Sequence, residues 1–334
     1  MDVPAWVQWS VLGTLVVLLA VDVWYIGRRP HEPSIRESSL GVVFYVLLAM
    51  AFGIGIFWLA GGQYAGEFYA GWLTEYSLSV DNLFVFLVIM SRFKVPRVFQ
   101  QKVLLIGIIL ALVLRGLFIA AGAAAIDRFI WVFFLFGGFL LYTAWNLAFH
   151  HAEEEEFKEN ALIRWSRRVL PISKDFADGR LRTVVSGKRL WTPMIVVLIA
   201  IGTTDLLFAF DSIPAIFGLT REPFLIFTAN VFALMGLRQL YFLLGGLLDR
   251  LIYLSAGLAF VLAFIGVKLI LEALHENTLP FVNDGKPIGW VPDVPIWVSL
   301  VVIVGTLGVT TAASLWRSNR EAKELEPSKA HVGS

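Results

Sequence analysis

Long apolar segments constrain this chain more than any other feature of its sequence. Hydrophobic residues make up 58% of the 334 residues, charged residues only 16%, and the mean hydropathy is +0.75. A soluble core of this size cannot enclose so much apolar surface. An all-α, polytopic transmembrane helix bundle is therefore expected. Taking about 20 apolar residues per membrane-crossing helix, we predict nine spans, at 5–26, 40–60, 67–91, 102–125, 128–149, 192–213, 224–244, 250–273 and 294–316.

The basic residues between these segments predict how the helices are oriented. Lys and Arg accumulate on the cytoplasmic side of membrane proteins. With the N-terminus outside, 21 of the 27 Lys and Arg residues fall in inner segments, three in outer segments and three within spans. We therefore expect the N-terminus outside and the C-terminus inside.

Four carboxylates interrupt the apolar segments, as two pairs with the same spacing. Glu75 and Asp81 lie in TEYSLSVDNLFVF, and Asp205 and Asp211 lie in TTDLLFAFDSIPAIF. An ionisable side chain at bilayer depth costs about 2.5–3.5 kcal/mol on insertion scales and by default indicates a functional site. The function is expected where these acids meet.

The surroundings of the acids indicate an internal repeat. Each pair is followed one span later by an intramembrane arginine, Arg115 after the first pair and Arg238 after the second. The two copies are three spans apart, an odd number, so the second must cross the membrane in the opposite sense. Such inverted repeats place a transport site near the midplane, between the units. Spans 3–5 and 6–8 are the predicted inverted three-helix units.

The predicted spans divide the chain into six regions. The basic part of the long inner loop is expected to include a helix near the anionic headgroups, and the polar tail is expected to be disordered. The regions are 1–66 (spans 1 and 2), 67–149 (first repeat unit), 150–191 (cytoplasmic loop), 192–275 (second repeat unit), 276–317 (external loop and span 9) and 318–334 (cytoplasmic tail).

The six-residue spacing within each pair leaves two arrangements open. Residues six apart on an α-helix lie roughly 120° apart, so the two acids do not share one face. Either a helix is interrupted between the acids, for which Pro214 is the best indication, or each pair serves two sites along one path. Counting along the spans places Asp81 and Asp205 near the midplane and Asp211 furthest outward, where it could belong to an outer gate.

Oxygen ligands dominate the chemistry available inside the membrane. The sequence has no cysteine and five histidines, which favours hard or borderline cations such as Mn²⁺ or Mg²⁺. The four acids outnumber the intramembrane bases Arg115, Arg238 and Lys268, as a cation site requires. We interpret the two arginines as structural counter-ions, Lys268 with Glu272 as a pair at a helix end, and Asp22 as a residue at a span boundary.

Three motifs resemble the TerC family of integral membrane proteins, which is named for tellurium resistance. They are EYSLSVDNLFVF (75–86), FAFDSIPAIFGLT (208–220) and FTANVFALMGLRQLYFLL (227–244), and the likeness extends from about 40 to 273. The resemblance implies manganese export and metal homeostasis by inverted three-helix units. Phe210, Ala229 and Gln239 are conservative departures from the motifs of that family. The resemblance implies functional roles for Asp81, Asn82, Asp211 and Asn230, and Glu75 and Asp205 lie inside the matching stretches.

The predicted function is export of divalent cations, most specifically manganese as the transported substrate, in exchange for protons. No enzymatic activity, cofactor or nucleic-acid partner is expected, and the predicted location is the bacterial cytoplasmic membrane. One alternative is a non-transporting scaffold that recruits proteins through 150–191 in a metal or tellurite stress response. Another is an intramembrane aspartyl protease, which the absence of Tyr-Asp or Gly-x-Gly-Asp around the acids disfavours. The predicted metal ligands are Glu75, Asp81, Asn82, Asp205, Asp211 and Asn230.

Overall fold

A computed structural model gives the architecture of the chain. It describes residues 4–28, 33–129, 131–149, 163–164, 168–173, 175–185, 187–244, 252–276, 283–286, 288, 290–292 and 294–330. The acidic run 150–156 of the inner loop lies outside these residues.

Helices make up almost all of the described chain. Short 3₁₀ turns occur at Ala177–Gly179 and Asn283–Gly285. The helices and strands are α1 (Ala5–Arg28), α2 (Ile35–Ala60), α3 (Gly62–Arg92), α4 (Arg97–Arg128), α5 (Val132–Phe149), β1 (Arg182–Val185), β2 (Lys188–Trp191), α6 (Pro193–Phe217), α7 (Pro223–Met235), α8 (Leu237–Leu244), α9 (Leu254–His275) and α10 (Ile296–Ala330).

The prediction of nine membrane spans is confirmed. Within the described residues, nine helical stretches are long and apolar enough to cross a bilayer, and α7 and α8 together form one of them, Pro223–Leu243. The all-α class is likewise confirmed, apart from one short hairpin. The inverted repeat and the orientation of the termini remain predictions.

Local sequence explains where several helices begin. The Ser34 hydroxyl accepts a hydrogen bond from the Glu37 amide and caps α2. Pro193 and Pro223 stand in the first turns of α6 and α7, where the missing N–H costs nothing. Gly61 has φ of +98° between α2 and α3, a conformation that favours glycine and lets the chain reverse direction there.

The central bundle consists of α3, α4, α6 and α7. Within an 18-residue apolar stretch of each helix, buried residues make up 78% for Pro223–Leu243, 59% for α3 and 56% for α6. By contrast, only 6% of the corresponding stretch of α1 and 11% of that of α10 are buried. The inner helices therefore enclose the acids, while α1 and α10 present most of their surface to lipid.

Helices α5 and α9 pack with their backbones in close approach. A Cβ added at Gly137 would lie 2.8 Å from the carbonyl oxygen of Gly266, and one added at Gly266 would lie 3.0 Å from that of Gly137. Small residues are what permits such an approach in membrane helices. Gly138, the next residue, has nothing within 4 Å of its added Cβ.

In the segments predicted to be cytoplasmic, one expectation needs correction and one element was not predicted. A β-hairpin, in which Arg182 pairs with Trp191 and Val185 with Lys188, precedes α6; the Arg182 guanidinium lies 3.9 Å from the centre of the Trp191 ring. Helical residues also occur in the basic part, at 163–164 and 168–169. The tail was expected to be disordered, but α10 continues as helix to Ala330, because its polar continuation is rich in good helix formers.

Candidate functional site

Two contacts fix how α3 faces α6 and the turn that follows α6. The Thr220 hydroxyl donates a 2.6 Å hydrogen bond to Glu67, and a Cβ added at Gly71 would meet the Ile216 side chain at 3.1 Å. Four residues forward along α3, from Glu67 to Gly71, correspond to four residues back along the partner segment, from Thr220 to Ile216. The two segments are therefore antiparallel. Continuing this register places Glu75 at the level of Ser212 and Asp81 near the level of Asp205.

Arg115 of α4 binds the first acid of each motif. Its guanidinium makes an ion pair with Glu75 and lies 3.2 Å from Oδ1 of Asp205, while its Nε donates to Oδ2 of Asp205 at 3.5 Å. Arg115 and Glu75 are each 1% exposed. A buried carboxylate needs such pairing, because an isolated charge is very costly away from water. The predicted counter-ion role of Arg115 thus fits its position between the two acids.

Asn230 of α7 completes the set of contacts around Arg115. Its Nδ2 donates to the Ile226 carbonyl at 3.0 Å, and its Oδ1 accepts from Arg115 at 3.1 Å. The amide is thereby oriented with its oxygen toward the guanidinium. Three of the predicted ligands, Glu75, Asp205 and Asn230, therefore converge on an arginine.

The second acid of each motif lies apart from this group. Asp81 accepts a 3.5 Å hydrogen bond from Ser255 of α9, and Asp211 interacts electrostatically with both Asp81 and Arg115. Neither acid forms an ion pair with a basic residue of the described chain. The first acids of the two motifs thus share Arg115, whereas the second acids form no ion pair in the described chain.

The remaining predicted ligand, Asn82, follows Asp81 on α3 and is buried, with 8% of its surface exposed. Among the described residues, no three His, Asp or Glu side chains are grouped closely enough to hold a metal ion. A cation at this level would therefore have to use hydroxyl, amide or backbone oxygens together with one or two carboxylates.

Three buried oxygens around the acids have no hydrogen-bond partner in the described part of the chain. They are Oε2 of Glu75, Oγ of Ser212 and Oγ1 of Thr74. Buried polar atoms are normally satisfied, so each exception needs an explanation such as a missing ligand. The register places Glu75 and Ser212 at the same level of α3 and α6. One of these oxygens therefore belongs to each side of the α3–α6 interface.

Neither acid-bearing helix is interrupted, which excludes the first of the two arrangements that the sequence left open. Helix α3 is continuous past both of its acids, and α6 continues through Pro214 to Phe217. Proline removes one amide donor, and a long membrane helix tolerates that loss. The break lies in the seventh span instead, at Gly236 between α7 and α8. The spacing is thus accommodated by two groups of acids on continuous helices.

Arg238 lies outside the acid clusters. Its guanidinium pairs with Asp22 of α1 at 2.9 Å. Asp22 ends the first apolar stretch, as expected of a residue at a span boundary, and its side chain also neutralises a charge on another helix, which was not predicted. The two residues are 216 positions apart in the sequence, so no local sequence pattern indicates that they pair.

Glu67 is a further buried acid of α3 that the sequence interpretation missed. It is 8% exposed and accepts hydrogen bonds from Thr220 at 2.6 Å and from Gln63 at 3.1 Å. The predicted third span began at this residue, which made it look like a boundary position. Its place four residues before Gly71 and eight before Glu75, on the same side of α3, was the available signal.

An ion cluster joins the loop after α6 to the end of α9. Arg221 pairs with Glu272 at 2.7 Å and with Glu276 at 3.0 Å. Burial alone would lower the pKa of Arg221, but the two carboxylates outweigh burial and raise it above its ordinary value. Glu272 lies in the last turn of its helix, as expected, with Arg221 as its ion-pair partner.

Comparison with known proteins identifies the relatives of this chain. Residues 60–322 match the model of the "Integral membrane protein TerC family". An uncharacterized membrane protein of Mycobacterium tuberculosis (strain H37Rv) is 50% identical over 94% of this chain and 80% of its own length. One from Myxococcus xanthus is 39% identical over 92% and 91%.

A third relative carries a functional description. It is Alx of Escherichia coli K12, described as a proposed membrane-bound redox modulator, which is 34% identical over 95% of this chain and 96% of its own length. No solved structure matches. The family match spans most of the chain, and the relatives are similar over nearly all of it, so this chain belongs to the TerC family of integral membrane proteins.

Proposed function

We propose that the chain exports divalent metal cations, with manganese as the substrate, across the bacterial cytoplasmic membrane in exchange for protons. The observation that carries this proposal is that Asp81 and Asp211, the second acids of the two motifs, form no ion pair with a basic residue of the described chain, although they influence each other electrostatically. Carboxylates left uncompensated inside a membrane protein attract a cation or a proton.

The neighbouring cluster supports the same function. Arg115 offsets one of the charges of Glu75 and Asp205, so the four acids and this base retain a net negative charge. Oxygen donors from acids, amides and hydroxyls suit Mn²⁺ and Mg²⁺ better than copper or zinc. The choice of manganese depends on the family resemblance, and proton exchange depends on the ability of buried acids to carry protons.

The alternatives have less support. Thiol–disulfide exchange, one chemistry that the description of Alx suggests, is not available to these residues because the sequence has no cysteine. Arg115 stands between Glu75 and Asp205, whereas an aspartyl protease brings its two carboxyls together on one proton. The first part of the loop that a scaffold would use, 150–162, lies outside the described residues.

Manganese flux into proteoliposomes tests the proposal. Purified protein should move Mn²⁺ down its gradient, and an opposing proton gradient should accelerate the movement. Asp81→Asn and Asp211→Asn should each abolish the flux, because the amide keeps the volume of the side chain and removes its charge. Asp284→Asn, in an exposed loop, is the matched control. A wild-type protein without flux, or either variant at the wild-type rate, would contradict the proposal.

A further inference from the structure

Glu67 is placed to take part in the movement of a cation. Its carboxylate is buried and held by the Thr220 hydroxyl and the Gln63 amide, and within the described chain it has no basic partner. The Thr220 oxygen in turn accepts from the Glu222 amide at 3.2 Å. Glu67 is eight residues before Glu75, about 12 Å along α3.

One apolar layer separates Glu67 from the central acids. Gly71 of α3 faces Ile216 of α6, close enough that a Cβ on the glycine would meet the Ile216 side chain at 3.1 Å. Gly71 follows Glu67 by one turn and precedes Glu75 by one turn. On the far side of the layer, Oε2 of Glu75 and Oγ of Ser212 are buried without a partner.

The corresponding positions at the other end of the two helices are apolar. Each acid of the second motif follows its counterpart by 130 residues, Glu75 to Asp205 and Asp81 to Asp211. The same offset relates Glu67 to Val197 and Met90 to Thr220. Val197 and Met90 are 0% and 1% exposed. The same antiparallel register of α3 and α6 places Met90 and Val197 level with each other, near the predicted cytoplasmic side.

We propose that Glu67 and Thr220 form a second cation site between the central acids and the predicted external surface, with the Gly71–Ile216 contact as the gate before it. A carboxylate and a hydroxyl are suitable ligands for a divalent cation. A cation leaving the central acids would reach Glu67 after the side chain of Ile216 moves aside. This site lies on the half predicted to be external, where an exported cation would leave, and the inference rests on the proposed function.

Flux and binding measured on the same variants test this inference. Glu67→Gln should reduce Mn²⁺ flux in proteoliposomes about tenfold or more, with the Mn²⁺ affinity of the central acids and the Tm of the purified protein unchanged. Glu67→Asp should retain part of the flux, because the charge is kept. Ile216→Ala should raise flux and make it less dependent on the proton gradient, because the gate loses its side chain. Asp284→Asn serves again as the control.

The outcomes separate this inference from the proposed function. If wild-type protein moves Mn²⁺ and Asp81→Asn does not, but Glu67→Gln moves it at the wild-type rate, the second site is wrong and the proposed function stands. If Glu67→Gln loses affinity and Tm together with flux, Glu67 is a structural residue and the second site is again wrong. If wild-type protein moves no cation, both proposals fail.

Discussion

Arg115 sets the electrostatics of the membrane centre. It contacts two carboxylates and one amide and is almost fully enclosed by them. One guanidinium cannot neutralise two acids, so the Glu75–Asp205 pair keeps a net negative charge. The same guanidinium also interacts with Asp211. A cation bound near Asp211 would therefore compete with Arg115 for negative charge, which links the two groups of acids.

Removing Arg115 should destabilise the protein strongly. Arg115→Gln leaves Glu75 and Asp205 buried with no positive partner, and breaking a buried pair in this way costs about 3–5 kcal/mol of unfolding free energy. Thermal unfolding of the purified variant measures the loss. Adding Glu75→Gln to Arg115→Gln should recover part of the stability, because one uncompensated charge is removed.

A surface arginine provides the control for this experiment. The Arg221 side chain is 39% exposed and pairs with Glu272 and Glu276, so Arg221→Gln should cost only about 0–1 kcal/mol. Equal Tm values for Arg115→Gln and the wild type would show that the central ion pairs do not hold the helices together.

At the scale of helices, the sequence predicts the spans well because each needs only a local run of apolar residues. Interactions between helices leave weaker traces. Asp22 and Arg238 meet across 216 positions, and neither has a neighbour that identifies the other. The break at Gly236 has no proline to mark it, whereas Pro214 marks a break that a continuous α6 does not make. Tertiary packing determines these features, and a single sequence contains no local pattern from which that packing can be predicted.

Packing between α5 and α9 should depend on one of two adjacent glycines. Gly137→Ala would place a methyl group 2.8 Å from the Gly266 carbonyl oxygen, and overpacking of this kind costs about 1–3 kcal/mol. Gly138→Ala meets nothing within 4 Å and should melt like the wild type. Thermal unfolding of the two purified variants compares the same substitution at neighbouring positions. A lower Tm for Gly138→Ala alone would show that the faces of α5 are assigned incorrectly.

At the scale of the whole molecule, the proposals depend on a direction across the membrane. Glu67 and Thr220 stand at one end of the α3–α6 interface, and Met90 and Val197 stand at the other. The distribution of Lys and Arg predicts which end is external. The same distribution puts the β1–β2 hairpin inside, beside the start of α6, where its basic residues would meet anionic headgroups. The predicted direction of transport and the predicted cytoplasmic location of the hairpin therefore depend on the same assignment of the two membrane sides.

Single cysteines can establish this direction, because the sequence contains none of its own. Asp284→Cys lies in the segment predicted to be external, and Val184→Cys lies in the hairpin, where the native side chain is 64% exposed. A membrane-impermeant maleimide applied to intact cells should label Asp284→Cys and leave Val184→Cys unlabelled. After permeabilisation both should be labelled, which controls for accessibility. The reverse pattern in intact cells would place the hairpin outside, and Glu67 would then lie on the cytoplasmic half, where a site for cation release cannot serve export.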